Sequence, residues 1–407
     1  MLGAKGLIAR AARIPENVRA VSYVSLVNDL ASELAYPVVP LFLTSVLGAP
    51  VAILGLIEGI AEGVAVGLGA ISGWISDRAG GRRVPWIAAG YALTAVSRAA
   101  VAAAQHWGVV LGARLTDRTG KAVRTAPRDA LIRDSTQAAL VGTSFGFHRA
   151  FDTIGATFGP LVAVALLAAG TSLRNVLWIS VLPGLAAVLL VRRVREAPVV
   201  GSDAPRLEPR LLPGYWPVVA AAVVFSLGNS SNAFLLLRAH NLGLSATLVI
   251  LAYALYNLVY ASLSWPLGSL SDRVPRSAVL GAGFAVYALV YAGFALASAS
   301  WAVWPLFVFY GAYVAATDGV VKAWVADYVE GAMAGTAYGI YAGLVGAALL
   351  AASVVGGVLW ETVSPAATFW AGAALAAASL PVVAFASRGR PAPETRARSK
   401  AATIIPK

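Results

Sequence analysis

The sequence contains no cysteine, only two methionines and three histidines, and few charged residues. The absence of cysteine excludes disulfides, thiol nucleophiles and thiolate metal sites, and the scarcity of histidine argues against a metal centre. Charged residues make up 12% of the chain and hydrophobic residues 59%, whereas a soluble domain is about one-quarter charged. Soluble cores in a chain of 407 residues could not hide so much apolar surface. We therefore expect an integral membrane protein.

The net charge of +12 is distributed between apolar runs and does not form one patch, so it predicts no nucleic-acid partner. Lys and Arg instead alternate between connections, with Arg174 and Arg238 as exceptions. The rich segments are the N-terminus, 78–83, 118–133, 192–210, 273–276 and 388–407. Because positive residues are retained on the cytoplasmic side, we expect both termini in the cytoplasm and an even number of spans. We assign the chain to the cytoplasmic membrane of a prokaryote.

The apolar runs predict the transmembrane helices, each of which needs about 20 mostly apolar residues. The fold class that we predict is an all-α membrane protein with twelve transmembrane helices. The predicted spans are 20–46, 51–75, 84–104, 107–125, 138–168, 174–194, 215–237, 247–270, 278–299, 302–327, 335–359 and 366–387.

The two halves of the chain resemble each other. Gly73–Arg78 ends the second span and the similar Gly268–Arg273 ends the eighth. The longest polar connection, 195–213, contains several prolines and separates the halves. Such a parallel repeat is typical of one class of secondary transporter, in which the substrate binds between the repeats. We therefore predict two pseudo-symmetric six-helix bundles, 1–194 and 214–387, a cytoplasmic linker between them and a cytoplasmic tail, 388–407.

Four short segments resemble motifs of the major facilitator superfamily. The loop motif between its second and third helices is matched by Gly73, Asp77, Arg78, Gly80, Arg82 and Arg83, and in the second half by Gly268, Asp272, Arg273 and Arg276. Gly155–Pro160 in the fifth span resembles the glycine-proline motif of the twelve-helix drug/proton antiporter branch. Arg114 is placed like the buried arginine of that branch.

This resemblance implies alternating access by rocking of the two halves, with proton-driven export of a small organic or amphipathic compound. The alternative is a proton symporter that imports a small organic ion or sugar. The resemblance also implies a gating role for the loop motifs, through Gly73, Asp77, Arg78, Asp272 and Arg273, and for the bend at Gly155, Gly159 and Pro160. Asp77 would then latch the cytoplasmic ends of the two halves.

Charged side chains inside predicted spans are costly unless they face a cavity or a partner, so they are candidate functional residues. Asp29 and Glu33, like Glu58 and Glu62, are spaced i,i+4 and share a helical face. Repulsion between two carboxylates, together with burial, favours proton uptake by one of them near neutral pH. We predict these four acids as the proton-coupling groups.

Two arginines join the proton-coupling prediction. Arg98 lies deep in the third span, where it either forms a buried salt bridge with one of the acids or changes partner as protons bind. Arg114 lies in the fourth span and is expected to pair with Asp117 or with an acid of the first two spans, and it is a candidate for proton gating.

In the fifth span, His148 and Asp152 share a face, and a histidine titrates near physiological pH. The alternative is that this segment lies close to the cytoplasmic end, where Arg149 and Asp152 form a gate or boundary salt bridge. We favour this alternative and assign Arg149 and Asp152 to gating.

Polar and aromatic side chains predict the substrate contacts, because they offer flat apolar faces with a hydroxyl or amide group. Tyr253 and Tyr310 either belong to the same set of polar aromatic side chains or anchor their helices at the membrane interface. Asp318 and Lys322, one turn apart, are expected to neutralise each other. The candidate substrate-binding residues are Asn28, Tyr36, Asn229, Asn232, Tyr256, Asn257 and Tyr313.

The sequence shows no Ser/His/Asp signature, no metal-ligand cluster and no phosphate-binding Gly-Lys-Ser/Thr loop. We therefore predict that the protein is not an enzyme and requires no cofactor. The expected partners are a small-molecule substrate, protons and the lipid bilayer, and the protein is expected to be a monomer.

Overall fold

The computed structural model describes residues 14–61, 68, 82–136, 141–196, 210–211, 214–271, 274–330 and 334–388. These residues are almost entirely helical. The α-helices are α1 (Glu16–Ala35), α2 (Val38–Leu41), α3 (Val51–Ala61), α4 (Val84–Ala103), α5 (Trp107–Asp134), α6 (Val141–Ala168), α7 (Leu173–Leu190), α8 (Tyr215–Gly228), α9 (Asn232–Asn241), α10 (Ala246–Ser271), α11 (Arg276–Leu296), α12 (Val303–Ala326), α13 (Ala334–Thr362) and α14 (Pro365–Ala386).

Shorter elements complete the described fold. A π-helical turn, Phe42–Val46, continues α2, and 3₁₀ turns occur at Val191–Arg193 and Ser300–Ala302. Two short strands, β1 (Arg210–Leu211) and β2 (Val329–Glu330), pair antiparallel with Arg210 opposite Glu330.

Ten helical segments of the described chain are long and apolar enough to cross a membrane. The second predicted span, 51–75, is described only over Val51–Ala61, which is shorter than a span, and at residue 68. The fourth lies in α5, which has 28 residues and continues past the predicted end at 125 to Asp134. Its charged residues exclude α5 from the apolar set, although at 1.5 Å per residue its length of about 42 Å exceeds the bilayer core.

The seventh predicted span, 215–237, is interrupted. Residues 229–231 are not helical, and they separate α8 from α9. The hydroxyl of Ser231 caps α9 by accepting the Ala233 backbone N–H, so a new helix begins there. A run of apolar residues does not reveal such a break, because the hydropathy continues across it.

The chain divides into two compact units. One contains Met1–Ser202 together with Ser231–Asn257. In this unit α1 packs against α6 and α7, and α4 packs against α5. A core at one end of these helices includes Val18, Val21, Tyr91 and Leu131. The first unit therefore takes helices from both halves of the sequence.

The other unit contains Asp203–Ser230 and Leu258–Lys407. Here α11 packs against α12 and α14, and α14 also packs against α8. Aromatic rings fill the space between these helices, with Phe225 stacked on Phe284 at a centroid distance of 3.8 Å. Gly228 and Gly372 bring the backbones of α8 and α14 close together, since a Cβ built on Gly228 would lie 2.7 Å from the Gly372 carbonyl oxygen.

Candidate functional site

A buried ion pair joins α3 to α5 in the first unit. The Arg114 guanidinium donates to both oxygens of Glu58, with Nη2 2.7 Å from Oε1 and 2.9 Å from Oε2. The side chains are 9% and 3% exposed, so the pair is shielded from solvent. Of the two expected types of partner for Arg114, this is an acid of the first two spans.

Two further groups contact this ion pair. The Ser231 hydroxyl, at the start of α9, donates to Oε2 of Glu58 at 3.4 Å. The ring of Tyr36 lies 5.7 Å from the Arg114 guanidinium carbon, close enough for a cation–π contact. These contacts bring Tyr36, Glu58 and Arg114 together.

A second carboxylate, Glu33, lies on the same helix as Asp29 and is bound by a tyrosine. The Tyr253 hydroxyl, on α10, donates to Oε2 of Glu33 at 3.0 Å. The Tyr253 ring lies 5.7 Å from the Tyr36 ring and 5.3 Å from the Tyr256 ring. Tyr253 is therefore part of an aromatic and carboxylate cluster, and the alternative role as an interfacial anchor does not account for its hydrogen bond.

Arg98 binds neutral groups. Its Nη2 donates to the Asn28 side-chain oxygen at 2.9 Å and also to the Ser32 hydroxyl. The Asn28 amide in turn donates to Asp29 at 3.1 Å. Within the described chain, no carboxylate lies at ion-pair distance from Arg98, which corrects the expectation of a direct salt bridge. The link from Arg98 to Asp29 runs through Asn28.

The Arg98 guanidinium occupies a slot beside α7. A Cβ built on Gly184 would lie 2.8 Å from Nη1 of Arg98. Arg98 is only 6% exposed, and among the described residues its Nη1 has no hydrogen-bond acceptor. The glycine therefore provides room for a buried cation.

Gly155 and Gly159 bring α6 against the turns of α1 that carry the carboxylates. A Cβ on Gly155 would lie 2.5 Å from the Leu26 carbonyl oxygen and 3.1 Å from the Asp29 Cβ. A Cβ on Gly159 would lie 2.8 Å from both the Glu33 Cβ and the Leu34 nitrogen. Pro160 follows within the same helix and is buried. These glycines therefore allow a close approach that larger residues would prevent.

His148 faces Asp152 on α6. Its Nε2 lies 3.7 Å from Oδ2 of Asp152, and its Nδ1 lies 3.4 Å from the Ser22 hydroxyl of α1. Arg149 is exposed, and its guanidinium forms no ion pair with Asp152 among the described residues. The proposed Arg149–Asp152 salt bridge is therefore wrong, because Arg149 points to a different side of the helix from His148 and Asp152.

The polar aromatic residues of the second unit form a packed cluster. Tyr313 is 5% exposed, and its ring lies 4.8 Å from Tyr287 and 5.7 Å from Phe225. The Tyr287 hydroxyl donates to the Gly228 carbonyl at 2.8 Å. Tyr310 is also buried in this cluster, 5.2 Å from Tyr313.

Three predicted amides lie at or near the ends of the segment 229–257. Asn229 lies in the break between α8 and α9, Asn232 begins α9, and both are half-buried. Asn257 donates to the Tyr253 carbonyl at 3.2 Å. On α12, Asp318 accepts from Lys322 at 3.3 Å, as expected, and also from the Tyr260 hydroxyl at 2.9 Å.

Several predicted site residues lie outside the described residues. They are Glu62, Gly73, Asp77, Arg78, Asp272 and Arg273. Within the described ranges, no group of three or more histidine or acidic side chains could hold a metal ion.

Sequence reasoning missed three contact residues. Ser32 and Ser231 each bind a candidate residue, and Gly184 makes room for Arg98. Ser32 carried a usable signal, since it is i+4 from Asn28 on the same helical face. Neither Ser231 nor Gly184 could be found from spacing, because their partners lie on other helices.

The family model described as Major Facilitator Superfamily matches residues 21–236 and 218–406. The chain belongs to the Major Facilitator Superfamily. It is therefore a multi-pass membrane transporter of the kind that carries small molecules, as the loop and glycine motifs implied. This match does not distinguish the drug/proton antiporter branch from the rest of the superfamily.

Relatives within the Major Facilitator Superfamily cover nearly the whole chain. An MFS-type transporter of Methanocaldococcus jannaschii is 33% identical over 374 residues, which are 89% of this chain and 93% of the relative. The solved nucleoside transporter NupG has a TM-score of 0.76 at 14% identity, covering 91% of this chain and 99% of that one. The human organic anion transporter TETRAN has a TM-score of 0.65 at 16% identity, covering 90% and 99%. These similarities show the two-domain fold of the superfamily.

Proposed function

We propose that this transporter is a proton-coupled secondary active carrier that exports a small organic or amphipathic compound by alternating access. In this proposal the halves 1–194 and 214–387 rock about the substrate, and both termini are cytoplasmic. Proton occupancy of carboxylates in the first unit controls which side is open. The protein acts as a monomer and uses no cofactor.

The observation that carries the proposal is the environment of Asp29 and Glu33. Both are half-buried on α1, and within the described chain neither lies at ion-pair distance from a cation. A carboxylate without a cation in a span costs free energy when ionised. Each can therefore be neutralised by a proton at moderate cost, as a proton carrier requires.

Glu58 has a different environment from the two acids of α1. Arg114 compensates its charge by donating to both carboxylate oxygens. We assign Asp29 and Glu33 to proton binding, and the Glu58–Arg114 pair to coupling between proton binding and helix position. Arg98 responds to the protonation of Asp29 through the Asn28 side chain, which forms hydrogen bonds with both residues. Glu62 is proposed for the same proton-coupling set on sequence alone.

The substrate contacts remain those of the polar aromatic set. In the first unit, Tyr36 and Tyr256 lie beside the Glu33–Tyr253 contact and offer aromatic faces next to a titratable group. Asn28, Asn229, Asn232, Asn257 and Tyr313 are proposed as further contacts. Arg149 and Asp152 are proposed to act separately in gating, because they do not pair. The other proposed gating residues are Gly73, Asp77, Arg78, Gly155, Gly159, Pro160, Asp272 and Arg273.

A second candidate is proton symport of a small organic ion or sugar into the cell. The intramembrane cations on α5 would suit an anionic solute, and the same carboxylates could serve this cycle. The two cycles differ in the direction of proton movement relative to substrate movement. This difference gives a direct test.

The test uses purified protein in liposomes that contain a pH-sensitive dye. Uridine, glucose, benzoate and tetraphenylphosphonium are added outside, one at a time, without a pH gradient. Entry by antiport drives protons out and makes the lumen alkaline, whereas entry by symport makes it acidic. Transport of a compound by the native protein with no change in lumenal pH, whether or not a pH gradient is imposed, would refute proton coupling. The sign does not depend on how the protein is oriented in the bilayer.

A further inference from the structure

The segment Ser231–Asn257 belongs to the first compact unit, although residues of the second unit flank it on both sides in sequence. It comprises α9, a short connection and the first part of α10, and we call it the arm. It begins where residues 229–231 interrupt the helix. At this interruption the direction of the chain can change without breaking a helical hydrogen-bond ladder.

Part of the contact between the arm and the first-half helices is apolar. Helix α9 packs against α2, and Phe234, Leu235 and Leu236 are each at most 1% exposed. Burial of aliphatic and aromatic surface does not depend on pH. A pH response of the arm must therefore come from its polar contacts.

Two hydroxyl groups of the arm donate to carboxylates of the first-half helices. Tyr253 donates to Glu33 at 3.0 Å, and Ser231 donates to Glu58 at 3.4 Å. A hydrogen bond to an ionised acceptor is roughly twice as strong as one to a neutral acceptor. Protonation of the acceptor therefore weakens the attachment of the arm.

The two carboxylates differ in their partners. Arg114 donates to both oxygens of Glu58, so the charge of Glu58 is already compensated. Glu33 has only the neutral Tyr253 as a hydrogen-bond partner among the described residues. The Tyr253–Glu33 contact is thus the one that a proton can switch, and the Ser231–Glu58 contact is a fixed attachment.

We propose that the arm is a gate segment, that Tyr253 holds it closed on ionised Glu33, and that proton binding to Glu33 releases it. Tyr253 and Ser231 are positioning residues in this device. The inference depends on the proton coupling proposed above, and it identifies the segment whose position changes when the proton binds.

Other charged groups face this contact. Asp29 on α1 and Arg118 and Lys121 on α5 interact electrostatically with Glu33. On the arm itself, Arg238 donates to Asn241 and His240 is paired through Nδ1 with the Leu244 carbonyl. His240 is a further ionisable side chain of the arm, so the test must separate it from Glu33.

The native chain has no cysteine, so a single introduced thiol reports one position. Ala239→Cys places it in α9 and Ala102→Cys in α4, both at residues that are 0% exposed. Each purified variant, in lipid nanodiscs, is labelled with a water-soluble maleimide between about pH 5.5 and about pH 8, a range that spans ordinary histidine titration. Each rate is divided by the rate for the same variant unfolded in SDS at that pH.

We expect labelling of Ala239→Cys to be about tenfold faster at the acid end, as for loss of a hydrogen bond to a charged group. Adding Tyr253→Phe or Glu33→Gln should make labelling fast throughout and remove the pH dependence. Ser231→Ala should raise the rates but preserve their ratio. His240→Asn should leave the profile unchanged, and Ala102→Cys should stay slowly labelled.

The proposal is overturned if labelling of Ala239→Cys does not change with pH, or if its pH dependence survives Tyr253→Phe. It is also overturned if His240→Asn abolishes the dependence, or if Ala102→Cys follows the same profile, which would indicate general loosening. The liposome dye assay separates the two proposals. Proton flux with a pH-independent arm refutes only the gate, whereas a pH-dependent arm without proton flux refutes only the proton-coupled transport.

Discussion

The guanidinium of Arg114 contacts both oxygens of the Glu58 carboxylate in the first unit, through Nη2 at 2.7 and 2.9 Å. The contact neutralises two charges that would otherwise be costly inside a span, and it ties α5 to α3. Helix α5 carries several charged residues. Partners of this kind allow it to pack among the other helices, because they compensate charges that would be costly inside the membrane.

Removing one member of this pair should be much worse than removing both. Arg114→Met leaves the Glu58 charge buried without a partner, and we expect a loss of about 3–5 kcal/mol in the free energy of unfolding. The double variant Arg114→Met/Glu58→Leu should recover most of this loss. Thermal unfolding in detergent, arranged as a double-mutant cycle, measures the coupling.

The matched control is the Lys322–Asp318 pair, whose side chains are 59% and 45% exposed. Lys322→Met should cost at most about 1 kcal/mol, because solvent screens an exposed pair. Equal losses at the two sites would contradict the importance of burial for the Arg114–Glu58 pair.

Neutralising the acids of α1 should separate coupling from binding. Asp29→Asn and Glu33→Gln cannot exchange a proton, so accumulation driven by a pH gradient should fall to background. Exchange of substrate for substrate should continue, since it needs no net proton movement. Counterflow and gradient-driven uptake in proteoliposomes measure the two processes.

Glu361→Gln provides the control for that experiment, because Glu361 is an exposed acid near the end of α13. It should retain both gradient-driven uptake and counterflow. Full gradient-driven accumulation in both Asp29→Asn and Glu33→Gln would mean that protons bind elsewhere.

The glycine at 159 should tolerate no side chain. Gly159→Ala would place its Cβ 2.8 Å from the Leu34 nitrogen and from the Glu33 Cβ, so α6 must move away from α1. We expect a destabilisation of about 1–3 kcal/mol from overpacking, together with a changed pH profile of transport as Glu33 shifts.

Gly112→Ala in α5 is the corresponding control, since a Cβ there meets nothing within 4 Å. It should be neutral, or stabilising by up to about 1 kcal/mol through better helix propensity. If both glycine variants behaved alike, the close packing of α6 on α1 would not explain the motif.

Glu196 should stabilise the start of α4. Its carboxylate accepts the backbone N–H groups of Arg83 at 2.8 Å and Val84 at 3.0 Å. These are among the donors that a helix leaves unpaired at its N-terminus, and a negative group there is favourable. We expect Glu196→Ala to lower the free energy of unfolding by about 0.5–2 kcal/mol.

The same change should speed amide hydrogen exchange at Val84, which can be followed by mass spectrometry. Glu196→Gln keeps one acceptor oxygen and should lose less stability than Glu196→Ala. A stability unchanged by Glu196→Ala would show that water replaces the carboxylate without cost.

Much of the architecture could be predicted from local patterns. Within the described residues, the apolar runs predicted most helix ends to within a few residues, and the i,i+4 spacing placed Asp318 against Lys322 as observed. The pattern failed where hydropathy carries no information, at the turn in residues 36–37 of the first predicted span, at the break in residues 229–231 and at the far end of α5. A break in a helix does not change the hydropathy of the sequence. A charged extension of a helix has the same composition as a polar connection between helices.

The sequence alone determined that this chain is a helical membrane protein with titratable side chains in its predicted spans. The length of the apolar runs and the positions of the charges are properties of the chain itself. Which groups meet was decided by the tertiary structure. Arg114 binds Glu58 while Arg98 binds Asn28, and Tyr253 reaches Glu33 across 220 positions of sequence. Contacts between helices depend on their packing and rotation about their axes, and neither composition nor spacing within one helix specifies these.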